Sequence, residues 1–124
     1  MNLQICRKDY NTLHTLLSNQ NTSIPFREKK LLLLELSKMA IVDDQDAIKN
    51  VIQLNSKVTI LDIDKQIVSA FTITLPSQAN IKDKKVSVLA PISIALLGEP
   101  KNKVIEWKMP GGIKRLKITD VGND

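Results

Sequence analysis

The residues whose types could carry chemistry are few: one cysteine, Cys6, one histidine, His14, and one acidic cluster, Asp43-Asp44-Gln45-Asp46. Nucleophilic catalysis needs a nucleophile with a base within hydrogen-bond reach. Cys6 and His14 both fall near the N-terminus, outside the stretch that has strand-like periodicity. With no second histidine and a single distant cysteine, His14 has no partners for a metal and reads as a surface or boundary residue. The acidic cluster could in principle do acid–base work or hold a hard cation such as Mg²⁺. A calcium loop would need a glycine and a later glutamate, and neither is present. The same residues also suit a capped turn, with Asp43 or Asp44 as the N-cap of a short helix, at a junction between two parts of the chain. Only four glycines occur and two belong to Pro110-Gly111-Gly112, so no phosphate-binding loop can be written. Two Phe, one Tyr and one Trp cannot build a stacking platform for single-stranded nucleic acid. The residues predict no catalytic site, no metal site and no cofactor.

The elements that would position a binding surface follow from composition and periodicity. The chain has 124 residues, of which 43% are hydrophobic, enough for one domain of ordinary size with a core of Ile, Leu and Val. The net charge of +5 is unevenly spread: residues 1–52 hold seven Lys/Arg against six Asp/Glu, and residues 53–124 hold eleven against seven. That bias helps the second part approach an acidic partner, protein or nucleic acid. The lysines are scattered, with Lys82-Asp83-Lys84-Lys85 the tightest cluster, which favours a solvated surface over a nucleic-acid patch. No window approaches the roughly 18 apolar residues that span a bilayer. The N-terminus lacks the basic start and apolar run of a secretory signal, and a lone cysteine fits a reducing compartment. The expectation is a soluble, cytoplasmic domain.

Lys8 to Ser18 predicts a first helix with Leu13, Leu16 and Leu17 as its stripe, Tyr10 on the same side and Asp9 as its N-cap or a first-turn acid. Asn19-Gln20-Asn21-Thr22-Ser23 reads as a loop whose Thr22 or Ser23 caps a second helix. That helix has Pro25 in its first turn and runs to about Met39. Leu31-Leu32-Leu33-Leu34 plus Leu36 exceeds what a two-helix hairpin covers, so either the chain's own sheet or a partner, including a second copy, must cover the rest. From Leu54 the period becomes two. Val58 to Asp62, Ile67 to Leu75, Val86 to Leu89, Val104 to Met109 and Ile113 to Val121 read as five strands. Pro110-Gly111-Gly112 joins the last pair in a tight hairpin. In Val86-Ser87-Val88-Leu89-Ala90-Pro91-Ile92-Ser93-Ile94-Ala95-Leu96-Leu97-Gly98, a proline corner leads from a strand into a short helix with Ile92, Ala95 and Leu96 as its apolar face. Gly98 stops that helix. Five strands and one internal helix indicate an α+β fold, with residues 1–50 as helical hairpin and linker and 51–124 as the sheet domain.

Ala90, Pro91, Ala95, Leu96, Leu97 and Gly98 match a "SP-x-x-x-A-L-L-G" segment, and the chain thereby resembles the C-terminal domain of bacterial Gre-type transcript-cleavage factors. Asn55-Ser56-Lys57-Val58-Thr59-Ile60 and Trp107-Lys108-Met109-Pro110-Gly111-Gly112 extend the match, which is good from about Leu54 to Val121 and loose from Lys8 to Asn50. With a short helical hairpin in front, the whole is most similar to the Rnk proteins, short Gre-like regulators of nucleoside diphosphate kinase. The resemblance implies an FKBP-like, mostly antiparallel five-stranded sheet wrapped around one helix. It also implies RNA polymerase as the partner, near the secondary channel, with nucleic acid reached only indirectly and no membrane. Gre factors place acidic residues at the tip of a long coiled coil, where they position Mg²⁺ and water for transcript cleavage. The corresponding tip, Asn19-Gln20-Asn21-Thr22-Ser23, is free of acids, so the resemblance implies binding without cleavage, with Asn19, Gln20 and Asn21 among the partner-binding residues. Leu89, Ala90, Pro91 and Ser93 correspond to the docking loop and its helix. Ser93-Ile94 and Asn102-Lys103 depart from the Gly-Arg/Lys and Gly-Asp common in the family. Two other functions remain open: a prolyl isomerase on the FKBP-like fold, and a monomer or weak homodimer using the leucine-rich helix for regulation. A prolyl isomerase would need an aromatic-lined pocket, which Phe26, Phe71, Tyr10 and Trp107 do not obviously assemble.

Overall fold

The computed structural model describes residues 3–18, 24–43 and 48–123. The expected caps Thr22 and Ser23, the tip residues Asn19, Gln20 and Asn21, and Asp44-Gln45-Asp46 lie outside the described residues. Strand β1 (Gln4–Cys6) leads directly into helix α1 (Arg7–Ser18), and helix α2 (Phe26–Ser37) leads into β2 (Ala40–Val42). On α1 the i, i+4 pair Leu13 and Leu17 is fully buried, with Tyr10 and Leu16 half-buried beside it. On α2, Leu32 and Leu36 enter the same core. Pro25 stands at the cap position, just before the first turn and not within it as expected, with φ −59° and no side-chain cap. Asp43 is committed to an ion pair with Arg7, its Oδ1 accepting from Nε at 2.7 Å.

β1 and β2 form a parallel pair, Gln4 opposite Ala40 and Cys6 opposite Val42. Sequence patterning missed both strands, because three residues are too few to show a period of two. Burial of Ile5 and the bond from Ala40 N to Leu3 O at 2.8 Å hold the pair together.

The main sheet comprises β3 (Lys57–Asp62), β4 (Ile67–Thr74), β5 (Lys85–Ser87), β6 (Val104–Met109) and β7 (Gly112–Gly122), in the order β5-β4-β3-β7-β6. Within this sheet only β4 and β5 run parallel. The link between them contains two 3₁₀ turns, Pro76–Gln78 and Ile81–Asp83, the second capped by Asn80 Oδ1 accepting from Lys82 N at 3.0 Å. On β3 the expected alternation holds: Val58, Ile60 and Asp62 are buried and Lys57 is exposed. Pairing of β3 with β7 slips between Thr59 and Ile60, a bulge of the kind that bends a sheet and increases its twist. The hairpin of β6 and β7 closes with Met109 opposite Gly112, leaving Pro110-Gly111 as its loop.

The expected strand at Val86 to Leu89 is shorter and begins earlier. Val88 and Leu89 are instead buried in the turn that leads into helix α3 (Pro91–Leu96). The buried face of α3 also differs from the expected stripe. Ser93, Ile94, Leu96 and the following Leu97 are buried, while Ile92 and Ala95 are only partly so. The reason is two-sided packing, since α3 lies between α2 and the sheet at β6 and so buries more than one stripe. Gly98 follows with φ +84°, accepting from Gln4 N at 3.2 Å and donating to Ile52 O at 2.8 Å.

One hydrophobic cluster runs from Ile5, Leu13 and Leu32 through Leu96 to Val58 and Ile118. Polar clasps reinforce the junction between the helices and the sheet. The buried Gln53 side chain accepts from Cys6 N at 2.7 Å and donates to Gln4 O at 2.9 Å. Asp9 Oδ2 accepts from Leu54 N at 3.1 Å.

Candidate docking site

The proline corner is built by local hydrogen bonding. Ser87 Oγ accepts from Leu89 N, and Ser87 O accepts from Ala90 N, both at 3.0 Å. Ala90 then takes an extended cap conformation, φ −65° and ψ 144°, and Pro91 opens α3 at a position where its missing N–H costs nothing. Pro91 is exposed and Ala90 half-buried, so both reach the surface. Leu89 and Ser93 point inward instead, and their side chains shape the corner from behind. Ser93 is fully buried, and its Oγ has no hydrogen-bond partner among the described residues.

The residue after Pro91 forms one wall of a cleft of about 400 Å³ on the inner face of the sheet. Ile92 faces Ile60 of β3, Phe71 of β4, Trp107 of β6 and Leu116 of β7 across it. Period-two alternation on four strands aims these side chains to one side. At the end of the sheet near the β3–β4 turn the wall continues with Ile67, which is 54% exposed, and Ser69. Charged groups complete the rim: Asp62, Lys65 and Lys114. Asp62 Oδ1 accepts from the backbone N of Asp64 and of Lys65, each at 3.1 Å, which fixes the turn. Its Oδ2 lies 3.9 Å from Lys114 Nζ. Asp64 pairs with Arg115 at 2.7 Å, and that hydrogen bond holds the Asp64 carboxyl below the usual range and pushes the guanidinium up. The cleft is therefore apolar inside and carries one cation in excess at its rim.

Ser69 is the only hydroxyl among the lining residues, and no histidine or cysteine joins it. Cys6 is buried beside Asp9, and burial pushes its thiol up, away from the reactive thiolate. His14 is exposed and stacks on Tyr10 with ring centroids 5.8 Å apart. Two of the four aromatic residues, Phe71 and Trp107, do meet in the cleft, whereas Phe26 and Tyr10 sit on α2 and α1. Lys65, Ile67 and Lys114 carried no sequence signal as site residues, because only the strand register brings them together.

A family model described as "Transcription elongation factor, GreA/GreB, C-term" matches residues 47–123, and the cleft and proline corner both lie inside that span. The chain belongs to the GreA/GreB family. Transcription elongation factor GreA of Clostridium botulinum is 30% identical over 98 residues, covering 77% of this chain and 61% of that protein. GreA of Clostridioides difficile is 29% identical over 96 residues, covering 76% and 60%. The chain thus spans about 60% of the length of these curated relatives. Among solved structures, a GreA/GreB elongation factor from Nitrosomonas europaea superposes with a TM-score of 0.78 at 28% identity, covering 99% of both chains. GreA factor homolog 1 of Thermus thermophilus shares the fold, at TM-score 0.52 and 17% identity. No helix among the described residues is long and apolar enough to cross a membrane.

Proposed function

We propose that this chain is a short, Rnk-like transcription regulator that docks on RNA polymerase near its secondary channel and does not stimulate transcript cleavage. The observation that carries the reading is the apolar cleft beside the exposed Pro91, within the segment matched by the family model. Residues 51–124 are the docking part and residues 1–50 the hairpin and linker. The partner segment is apolar with a flanking acid, since Lys65 and Lys114 outnumber Asp62 at the rim. Ala90 and Pro91 brace that segment from the corner, and Leu89 and Ser93 hold the corner in shape. The absence of cleavage rests on two features of the hairpin. Asn19, Gln20 and Asn21 contain no carboxylate to hold Mg²⁺. Helices of 12 residues each extend only about 18 Å, a short reach into a channel. The regulator acts in the cytoplasm, meets DNA only through the polymerase, and competes there with longer Gre factors. Family membership does not favour the prolyl-isomerase reading.

The test is co-migration of the purified chain with core RNA polymerase, with and without full-length GreA, alongside a transcript-cleavage assay on backtracked complexes. The reading expects binding that GreA displaces and cleavage no faster than without factor. No binding at tens of micromolar, or cleavage stimulated by the chain, overturns it.

A further inference from the structure

Helix α2 carries apolar side chains on two faces, and the fold uses only one. Leu32 and Leu36 enter the core, whereas Phe26, Leu31, Leu33 and Leu34 are 78%, 42%, 38% and 54% exposed. At about 100° per residue, Leu34 lies almost opposite the Leu32–Leu36 stripe, with Arg27 and Lys30 to either side of it. These six exposed residues line one shallow groove along the outer side of the helix. Among the described residues Arg27 and Lys30 are its only charges, and neither enters an ion pair there. The acids of α2 lie elsewhere: Glu28 and Glu35 are half-buried on the flank towards the core, and Glu35 is 3.5 Å from Lys38.

Area and charge discriminate among the occupants such a face could have. A second copy laid face to face would bring Arg27 and Lys30 against their own counterparts. It would also bury little, since one Phe and three partly exposed Leu offer roughly 400 Å², against about 800 Å² per partner in a stable interface. An anionic membrane surface is held by clusters of about four to eight Lys/Arg, and this face has two. A single amphipathic helix fits the charge, and a weak, transient contact needs no more than this area. From Phe26 to Leu34 the groove runs about 12 Å along the axis, long enough for anchors at i, i+3 or i+4, and i+7 of a partner helix. Acids flanking those anchors would meet Arg27 and Lys30.

We propose that the outer face of α2 binds an acidic amphipathic helix of another protein, its apolar residues seated among Phe26, Leu31, Leu33 and Leu34 and its carboxylates against Arg27 and Lys30. The site is on a different element from the sheet cleft and does not depend on docking there.

The experiment titrates the full chain, labelled for amide chemical shifts, with two synthetic helical peptides of identical leucine spacing, one flanked by glutamates and the other by lysines. The glutamate peptide is expected to saturate at tens of micromolar, with shifts confined to α2, and the lysine peptide to bind at least tenfold more weakly. The Arg27→Glu/Lys30→Glu variant, changed only at exposed positions, is expected to reverse that preference while its far-ultraviolet circular dichroism stays the same. Equal binding of both peptides, or binding of neither, overturns the proposal. So does a mass that rises with concentration in sedimentation, which assigns the face to a second copy. Binding to phosphatidylserine vesicles that the double variant loses assigns it to a membrane surface and overturns the proposal equally.

Discussion

Replacing Gln53 by Leu should destabilise this protein strongly. Gln53 is 3% exposed, and its carboxamide joins β1 to the segment leading into the sheet. Its Oε1 accepts from Cys6 N at 2.7 Å, and its Nε2 donates to Gln4 O at 2.9 Å and Ile52 O at 3.0 Å. Leucine nearly matches the volume but can make none of these bonds. The buried Cys6 N–H and the part-buried Gln4 carbonyl would then lose their partners. An unsatisfied buried polar group costs about 1–3 kcal/mol, so the buried N–H, with a smaller cost for the part-buried carbonyl, predicts a loss of roughly 2–4 kcal/mol. Against a total stability of about 5–15 kcal/mol that is a large fraction. Urea unfolding should show it as a lower midpoint with an unchanged m-value, and thermal unfolding as a Tm lowered by roughly 8–15 °C. Gln78→Leu, at an exposed position, is the control and should stay within about 0.5 kcal/mol of the parent. A Gln53→Leu protein as stable as that control would refute the argument that this side chain clasps the N-terminal elements to the sheet.

Two further perturbations probe the same junction. Burial pushes the Asp9 carboxyl above its ordinary range, partly offset by its bonds with Cys6 and Leu54 N. The native state therefore holds more protons than the unfolded chain between about pH 4 and the raised native value, so this group's contribution to stability falls as pH rises through that window. Asp9→Asn keeps an acceptor for Leu54 N and removes the charge, so unfolding free energies from pH 3.5 to 6 should show the variant gaining on the parent as pH rises; a constant difference would refute the assignment. At Gly98, φ is +84° and an added Cβ would lie 3.2 Å from Met39 Sδ and Cε and 3.3 Å from Leu3 Cβ. Gly98→Ala should cost roughly 2–3 kcal/mol from left-handed strain and crowding, read as a lower Tm, and an unchanged Tm would contradict it.

What the sequence allows one to read depends on how many residues share a pattern. The main strands announce themselves because Val58, Ile60 and Asp62, or Phe71 and Ile73, repeat over several positions. Residues Gln4–Cys6 and Ala40–Val42 do not, and their pairing joins positions 36 apart. The corner at Ala90 and Pro91 was legible as proline chemistry. Which side of α3 would be buried was not, because α2 and the sheet both pack on it and leave Ile92 at the cleft. Gln53 stands as one polar residue between Ile52 and Leu54, and nothing local distinguishes a clasp from a loop residue. The cleft itself depends on register. Ile60, Phe71, Trp107 and Leu116 come from four strands, and a one-residue slip would turn any of them to the other face.

The measurement that tests the docking surface most directly is the equilibrium affinity for core RNA polymerase of the parent and of an Ile67→Gln/Pro91→Ala variant. Ile67 is half exposed at the cleft and Pro91 is exposed at the corner, so both substitutions should leave the fold intact, which its Tm will show. At least tenfold weaker binding is expected, about 1.4 kcal/mol, with little change in Tm. Unchanged affinity in a folded variant would overturn the docking assignment and place the polymerase contact elsewhere on the chain.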